Sequence, residues 1–333
     1  MSSILHEGCR FRRAILALVL ALVAVVAAPA QEIPSALPSI GRLLDIRDVK
    51  TITAGDRELV WTASHVYETS TKYFDAEGNR KPLPLDQAIR RHVVPVFATY
   101  GLGNRWSVGA GASLVNDLQR KLAVLNLTAG ASILGQPLAV GQVTTLETEG
   151  SGVGDLSFFL QHQPDWFGKR LTSLVALDVV APTAESNPTS ALDMPIGQGN
   201  WTYRLSWSGL REIYPMTWFA KLTYENNRAA TGRDLTGTAY EFDRGDGLDA
   251  TFGAGYAIGE SFTLLGQFAA SWRDQGSRSD RTVPTPFTRS AQFRPGYSFR
   301  SGEFVVTQQL EVPISGRNIL STQGFMTTVE YRF

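Results

Sequence analysis

Three histidines follow the first thirty residues: His65, His92 and His162. Each could act as a general base. A Ser–His–acid set needs that base within hydrogen-bond reach of its nucleophile. Ser64 adjoins His65, but strand geometry puts neighbours on opposite faces. His92 and His162 have no serine close by. A triad assembled across strands stays open, so a hydrolase remains the weakest of the alternatives. The bland reading is lumenal or interfacial histidine, and no catalytic residue is assigned. Glu241, Asp243, Asp246 and Asp249 gather oxygen ligands of the kind calcium takes. They lack the spacing of a dedicated calcium loop and read better as a solvated loop, so no metal is expected. Arg244-Gly245-Asp246 is a tripeptide that some host receptors read, and it is short enough to arise by chance. Gly150, Gly152 and Gly154 do not make G-x-G-x-x-G, and no Walker motif occurs. They suit a flexible lead-in to a strand. No cofactor is expected.

Nine charges stand out as candidates to meet a solute: Asp155, Asp178, Arg204, Lys221, Glu225, Asp249, Arg273, Arg294 and Glu311. Each lies opposite an apolar row. If that row faces lipid, the charges must face a lumen. An Arg or Lys on the lipid face would cost about 2–4 kcal/mol at midplane. Inside a barrel they either bridge the lumen and plug it or meet what passes, and the sequence favours neither.

The elements that must position them are strands. In Trp106-Ser107-Val108-Gly109-Ala110-Gly111-Ala112-Ser113-Leu114 every even position is apolar and every odd one is Ser or Gly. Period-two alternation marks a two-faced strand. Small inward residues suit a narrow, crowded barrel. Trp201, Tyr203, Leu205 and Trp207 form another such row, with Thr202, Arg204, Ser206 and Ser208 opposite. Trp218, Ala220, Leu222 and Tyr224 form a third, with Thr217, Lys221, Thr223 and Glu225 opposite. Phe252 to Ile258 and Phe262 to Trp272 follow suit. Less regular runs start near Leu59, Val93, Val153, Leu171, Phe287, Phe304 and Phe325. The reading is an all-β antiparallel transmembrane barrel of about twelve strands. Short connections near 101–104, 209–215, 259–261 and 300–303 alternate strictly with long loops near 75–91, 116–152, 181–199, 226–246 and 274–286. Short periplasmic turns and long outer loops are the mark of such barrels. A hairpin over Leu122–Ile133 would raise the count to fourteen. Tryptophans at strand ends suit two aromatic belts.

The 333 residues carry 31 basic and 31 acidic side chains, too balanced for a nucleic-acid partner. No run of about 18 apolar residues could form a membrane helix. Arg10, Arg12 and Arg13 precede an apolar run from Ala14 to Ala28, and Ala28-Pro29-Ala30 supplies small residues for a signal peptidase. The expected division is a signal peptide over 1–30, cut between Ala30 and Gln31, a periplasmic or lumen-inserted segment over 31–57, and a barrel over 58–333. Removing Arg10, Arg12, Arg13 and Glu7 leaves 28 basic and 30 acidic residues. The single cysteine, Cys9, precedes the apolar run, so no disulfide or thiol site is expected beyond it.

Phe325, Thr327, Val329, Tyr331 and Phe333 alternate with Met326, Thr328, Glu330 and Arg332. The row Val329, Tyr331, Phe333 resembles the assembly signal of bacterial outer-membrane barrels, which implies barrel-assembly machinery as a partner. Thr71 to Asn79, Tyr100 to Trp106, Gly152 to Leu156, Val180 to Thr183 and Glu330 to Phe333 together resemble an exported barrel family associated with the meta-pathway of phenol degradation. That resemblance implies an outer-membrane, transporter-like barrel passing apolar aromatic compounds, and carries no catalytic motif. The functional expectation is passage of small-molecule solutes, apolar aromatics among them, without a chemical step. A structural or adhesive surface barrel acting through its loops is the alternative. Outer-membrane lipid is the surrounding partner in either case.

Overall fold

The structure is a computed structural model that describes residues 58–83, 88–125, 132–133, 136–137, 143–167, 171–184, 196–233, 239–279 and 286–333. The expected signal peptide and the 31–57 segment lie outside the described residues. Twelve strands form the wall: β1 (Leu59–Ser70), β2 (Ala88–Gly103), β3 (Trp106–Leu125), β4 (Leu156–His162), β5 (Thr172–Ala181), β6 (Thr202–Ile213), β7 (Met216–Asn227), β8 (Gly247–Ile258), β9 (Phe262–Arg273), β10 (Thr288–Ser301), β11 (Phe304–Arg317) and β12 (Gln323–Arg332). Each pairs antiparallel with its chain neighbours, and β1 pairs with β12 from Val60↔Arg332 to Thr69↔Gln323. The sheet therefore has no free edge in its wall, the condition for crossing a bilayer. Among the described residues there is no helix long and apolar enough to cross a membrane, which says nothing about crossing by strands.

Side chains are sorted the wrong way round for a water-soluble protein. Leu160, Leu177, Leu205, Leu264, Phe268 and Leu310 stand exposed on the outer face. Thr99, Thr202, Gln267 and Thr307 are buried on the inner one. Apolar-out and polar-in alternation is what lipid outside and a polar interior select.

The hairpin between β2 and β3 turns on Asn104 and Arg105, both at positive φ (50° and 67°), as a two-residue turn matched to strand twist requires. Tyr214–Pro215, Gly259–Ser261 and Gly302–Glu303 are similarly short. The strict length alternation expected from the sequence has two exceptions. Residues 163–171 make a longer connection at the turn end, tied by the Arg105–Asp165 ion pair at 3.2 Å. At the loop end, the β11–β12 connection is short. Its Ile319–Leu320 pairs with Lys72–Phe74, which also pairs with Arg80–Pro82. The short connection is thus docked on the β1–β2 loop instead of projecting on its own.

The region left open between twelve and fourteen strands resolves as twelve plus one extension. The lower part of β3 (Trp106–Gly111) pairs with β4, and its upper part (Leu114–Leu125) pairs with the extra strand Val143–Val153. The hairpin prolongs the wall beyond the barrel and adds no stave to it. Gly152 at φ 149° and a hydrogen bond from Gly154 N to Ser113 O (2.6 Å) mark where β3 changes partner. The glycine run shapes this crossover.

In the β1–β2 loop, Asp75 accepts hydrogen bonds from Glu77 N and Asn79 N and pairs with Lys81 at 2.6 Å. The Lys81 ammonium, helped by these donors against partial desolvation, holds the Asp75 carboxyl down at about 2. A depressed carboxyl stabilises the loop above its ordinary titration range and loses that effect as pH falls through the folded value. The Asp75 carboxyl carbon is accordingly expected to titrate by NMR near pH 2, and a midpoint near 4 would contradict the contact. In Lys81→Met that midpoint should move up toward 4.

Candidate functional site

The inner wall holds most of the predicted charges, in two groups. Register sets Asp178 of β5 against Arg204 of β6, and Arg204 against Glu225 of β7. Arg204 Nε lies 2.8 Å from Glu225 Oε2. On β8 and β9, Arg273 grips Asp249 with two donors, Nη1 to Oδ1 at 3.1 Å and Nη2 to Oδ2 at 2.9 Å. Its Nε also approaches Glu225 Oε1 at 3.7 Å. The Arg273 side chain reaches both carboxylates by lying over Gly247, where a Cβ would collide with it. Four predicted residues, Arg204, Glu225, Arg273 and Asp249, thus make one ladder across β6–β9 at the loop end, with Asp178 of β5 in register beside Arg204. Asn227 ties the ladder to the loops. Its amide donates to Glu225 Oε1 (3.1 Å) and Gly245 O (2.8 Å), and its Oδ1 accepts from Thr202 Oγ1 (2.8 Å). Loss of one member would leave charge poorly compensated, since bidentate Arg–carboxylate pairs are the strong kind.

Deeper in the barrel, Arg294 Nε and Glu311 Oε1 are 3.0 Å apart on β10 and β11, and both side chains are buried. At that distance they attract as an ion pair. Lys221 is buried on the inner face of β7, four residues toward the turn end from Glu225. Asp155 departs from expectation. It sits at the crossover between Val143–Val153 and β4, where its carboxylate accepts from Ala184 N (3.0 Å) and Gln198 N (2.7 Å). The chain breaks its alternation there, so Asp155 staples outer loops and is no part of the strand wall. At the turn end, Val329 and Phe333 are exposed on the outer face of β12 beside Tyr331. Glu330 and Arg332 point inward, and Arg332 Nη2 meets Glu330 Oε1 at 3.0 Å.

An apolar part of the inner wall went unread in the sequence. Phe97 of β2 and Phe159 of β4 face inward with ring centroids 6.3 Å apart. They lie along Gly111 and Gly109 of β3, where a Cβ would run into their rings. The small odd-numbered row of β3 exists to receive these aromatics. Leu174, Leu210 and Phe219 form a second inward apolar cluster on β5–β7. Strand parity alone would have placed all five.

Parity also settles the histidines. His65 is exposed on the outer face of β1. His92 lies beside Tyr67 (ring centroids 4.6 Å) and 5.9 Å from His65. His162 stacks on Trp106 at 4.3 Å. All three stand in outward rows with aromatic neighbours, so no triad forms on the inner wall. The acidic loop is equally occupied. Asp243 Oδ1 accepts from Gly245 N, Asp249 holds Arg273, and Asp246 takes Asn226, Asn227 N and the Tyr224 hydroxyl. Partial burial pushes the Asp246 carboxyl up, but these donors outweigh it and hold the group below its ordinary value. Among the described residues no three potential ligands converge on a metal position. Arg244 and Asp246 of the receptor-like tripeptide are both engaged internally, Arg244 with Gln198 O at 2.8 Å.

The wall architecture matches a solved structure over nearly its full length. The COG4313 outer membrane channel from Pseudomonas putida F1 covers 91% of this chain and 100% of its own, at a TM-score of 0.66 and 13% identity. The chain has the antiparallel barrel fold of that protein. Looser likenesses, which carry no argument, include a FadL homologue from Pseudomonas aeruginosa (TM-score 0.42, 11% identity, 84% of this chain and 90% of that one). The TodX monoaromatic hydrocarbon channel deltaS2 mutant is similar at that level (TM-score 0.44, 10% identity, 83% and 90%). No family model and no curated protein matches the chain, so the resemblance to the phenol meta-pathway family rests on its short motifs.

Proposed function

We propose that this protein sits in the outer membrane and passes small molecules, apolar aromatics among them, without a chemical step. The carrying observation is the closed twelve-stranded wall with its apolar row outward and its polar row inward. Such a surface is stable only with lipid outside. The turn end would face the periplasm and the loop end the exterior. A preference for aromatics is supported by the inward Phe97, Phe159 and Phe219 and by the family resemblance. Removal of residues 1–30 between Ala30 and Gln31 would deliver the chain to that site. We assign the outward row Val329, Tyr331 and Phe333 to engagement by barrel-assembly machinery, because it lies on the strand that closes the ring against β1.

The alternative is a surface barrel acting through its loops, favoured by the small sheets built there by Ala230–Arg233, Ala239–Asp243 and Ser277–Arg278. Liposome swelling separates the two. Vesicles carrying the purified chain should swell in arabinose at a rate that rises with protein loading. Swelling no faster than in protein-free vesicles would overturn passage and leave the loop reading.

A further inference from the structure

Gln267 and Gln309 are the unexplained residues of the inner wall. They are 0% and 1% exposed, and neither the oxygen nor the nitrogen of either carboxamide has a hydrogen-bond partner. Leaving four such groups dry and unpaired is expensive, and native interiors rarely do it without a reason. The two are neighbours in the fold. Gln267 of β9 is the register partner of Arg294 on β10, and Gln309 of β11 is the partner of Gly296 on the same strand. They therefore flank β10 from either side at one depth of the barrel. Beside them lies the Arg294–Glu311 ion pair, with Arg294 in register with Gln267 and Glu311 two residues beyond Gln309.

We propose that Gln267 and Gln309 form a solute-binding subsite for an uncharged, hydroxyl-bearing molecule. The inference rests on the channel reading above and names the chemistry that its wall selects. A carboxamide offers one acceptor and two donors. A hydroxyl both donates and accepts, so it can meet the oxygen or the nitrogen of either carboxamide. The ion pair beside them is already neutralised, so a charged ligand would enter this buried place without a counter-charge. In the twelve-stranded ring β10 lies six places from β4. The wall facing the subsite is therefore the apolar one carrying Phe159, which suits an apolar body behind the hydroxyl.

Benzyl alcohol and toluene differ by that one hydroxyl and serve as probes. Binding is measured by titration calorimetry on the detergent-solubilised full chain, with empty micelles as the baseline. The wild type should bind benzyl alcohol at least about tenfold more tightly than toluene, because unpaired buried groups penalise the ligand lacking the hydroxyl. In Gln267→Leu/Gln309→Leu the ratio should fall to about one, while benzylammonium gains nothing. Heat-modifiable migration on gels shows that the variant barrel is folded. If the double variant does not fold, Gln309→Met is read in its place and should at least halve the ratio. Equal affinities in the wild type, or an unchanged ratio in the variant, would overturn the subsite. Discrimination by a chain that fails to swell liposomes would refute the channel reading and leave the subsite standing.

Discussion

Replacing Phe268 by arginine should destabilise the barrel by about 2–4 kcal/mol in lipid vesicles, the range for a cation near the bilayer midplane. Phe268 is in the middle of β9, 57% exposed, with its ring beside the outward Phe293 ring at a centroid distance of 4.9 Å. Were this face in water, the same change would be a surface substitution worth less than about 0.5 kcal/mol either way. The sign and size therefore report what surrounds the barrel. Leu222→Arg, midway along β7 and also outward, should behave alike. Guanidinium unfolding in vesicles followed by tryptophan emission gives both values. Near-zero shifts at both positions would place this face in water.

Glu311→Leu should cost about 3–5 kcal/mol, the usual range for removing one member of a buried ion pair. Its partner Arg294 has a side chain only 6% accessible, so the guanidinium would stay charged with its nearest carboxylate gone. Arg294→Met/Glu311→Leu should recover most of that loss, because two apolar chains of similar volume avoid desolvating either charge. Unfolding midpoints of the single and double variants provide the comparison. A double variant as unstable as the single one would mean that the pair is not coupled as the 3.0 Å separation requires. Asp249→Ala should be milder. Its pair with Arg273 lies at the loop end, where both side chains are about a third exposed and solvent screens them.

Much of this architecture is legible in the residues. Rows such as Trp218, Ala220, Leu222 and Tyr224 gave strand identity and facing, because period-two alternation against lipid leaves no second solution. Twelve run starts correspond to twelve staves. The pairings were not legible. Arg204 and Glu225 lie 21 residues apart, and only the register imposed by the Tyr214–Pro215 turn brings them opposite. Asp155 escapes the alternation because the strand changes partner at the Gly152–Gly154 crossover just before it. The added hairpin near Leu122 was ambiguous for a physical reason. An alternating segment reads the same whether it crosses lipid or extends beyond it. Parity within a strand places His65 outward with Trp61, and Phe219 inward with Lys221. Gln267 and Gln309 could have been placed inward too, but nothing in a sequence reveals that a buried carboxamide lacks a partner.

On this reading the wall encloses a path through a membrane. Planar-bilayer recording from the purified full chain tests it most directly. Steady unitary current steps should appear on insertion and recur at one size, and Gln267→Leu/Gln309→Leu should retain them. A chain that inserts with heat-modifiable mobility yet leaves the bilayer silent at all voltages would contradict the account.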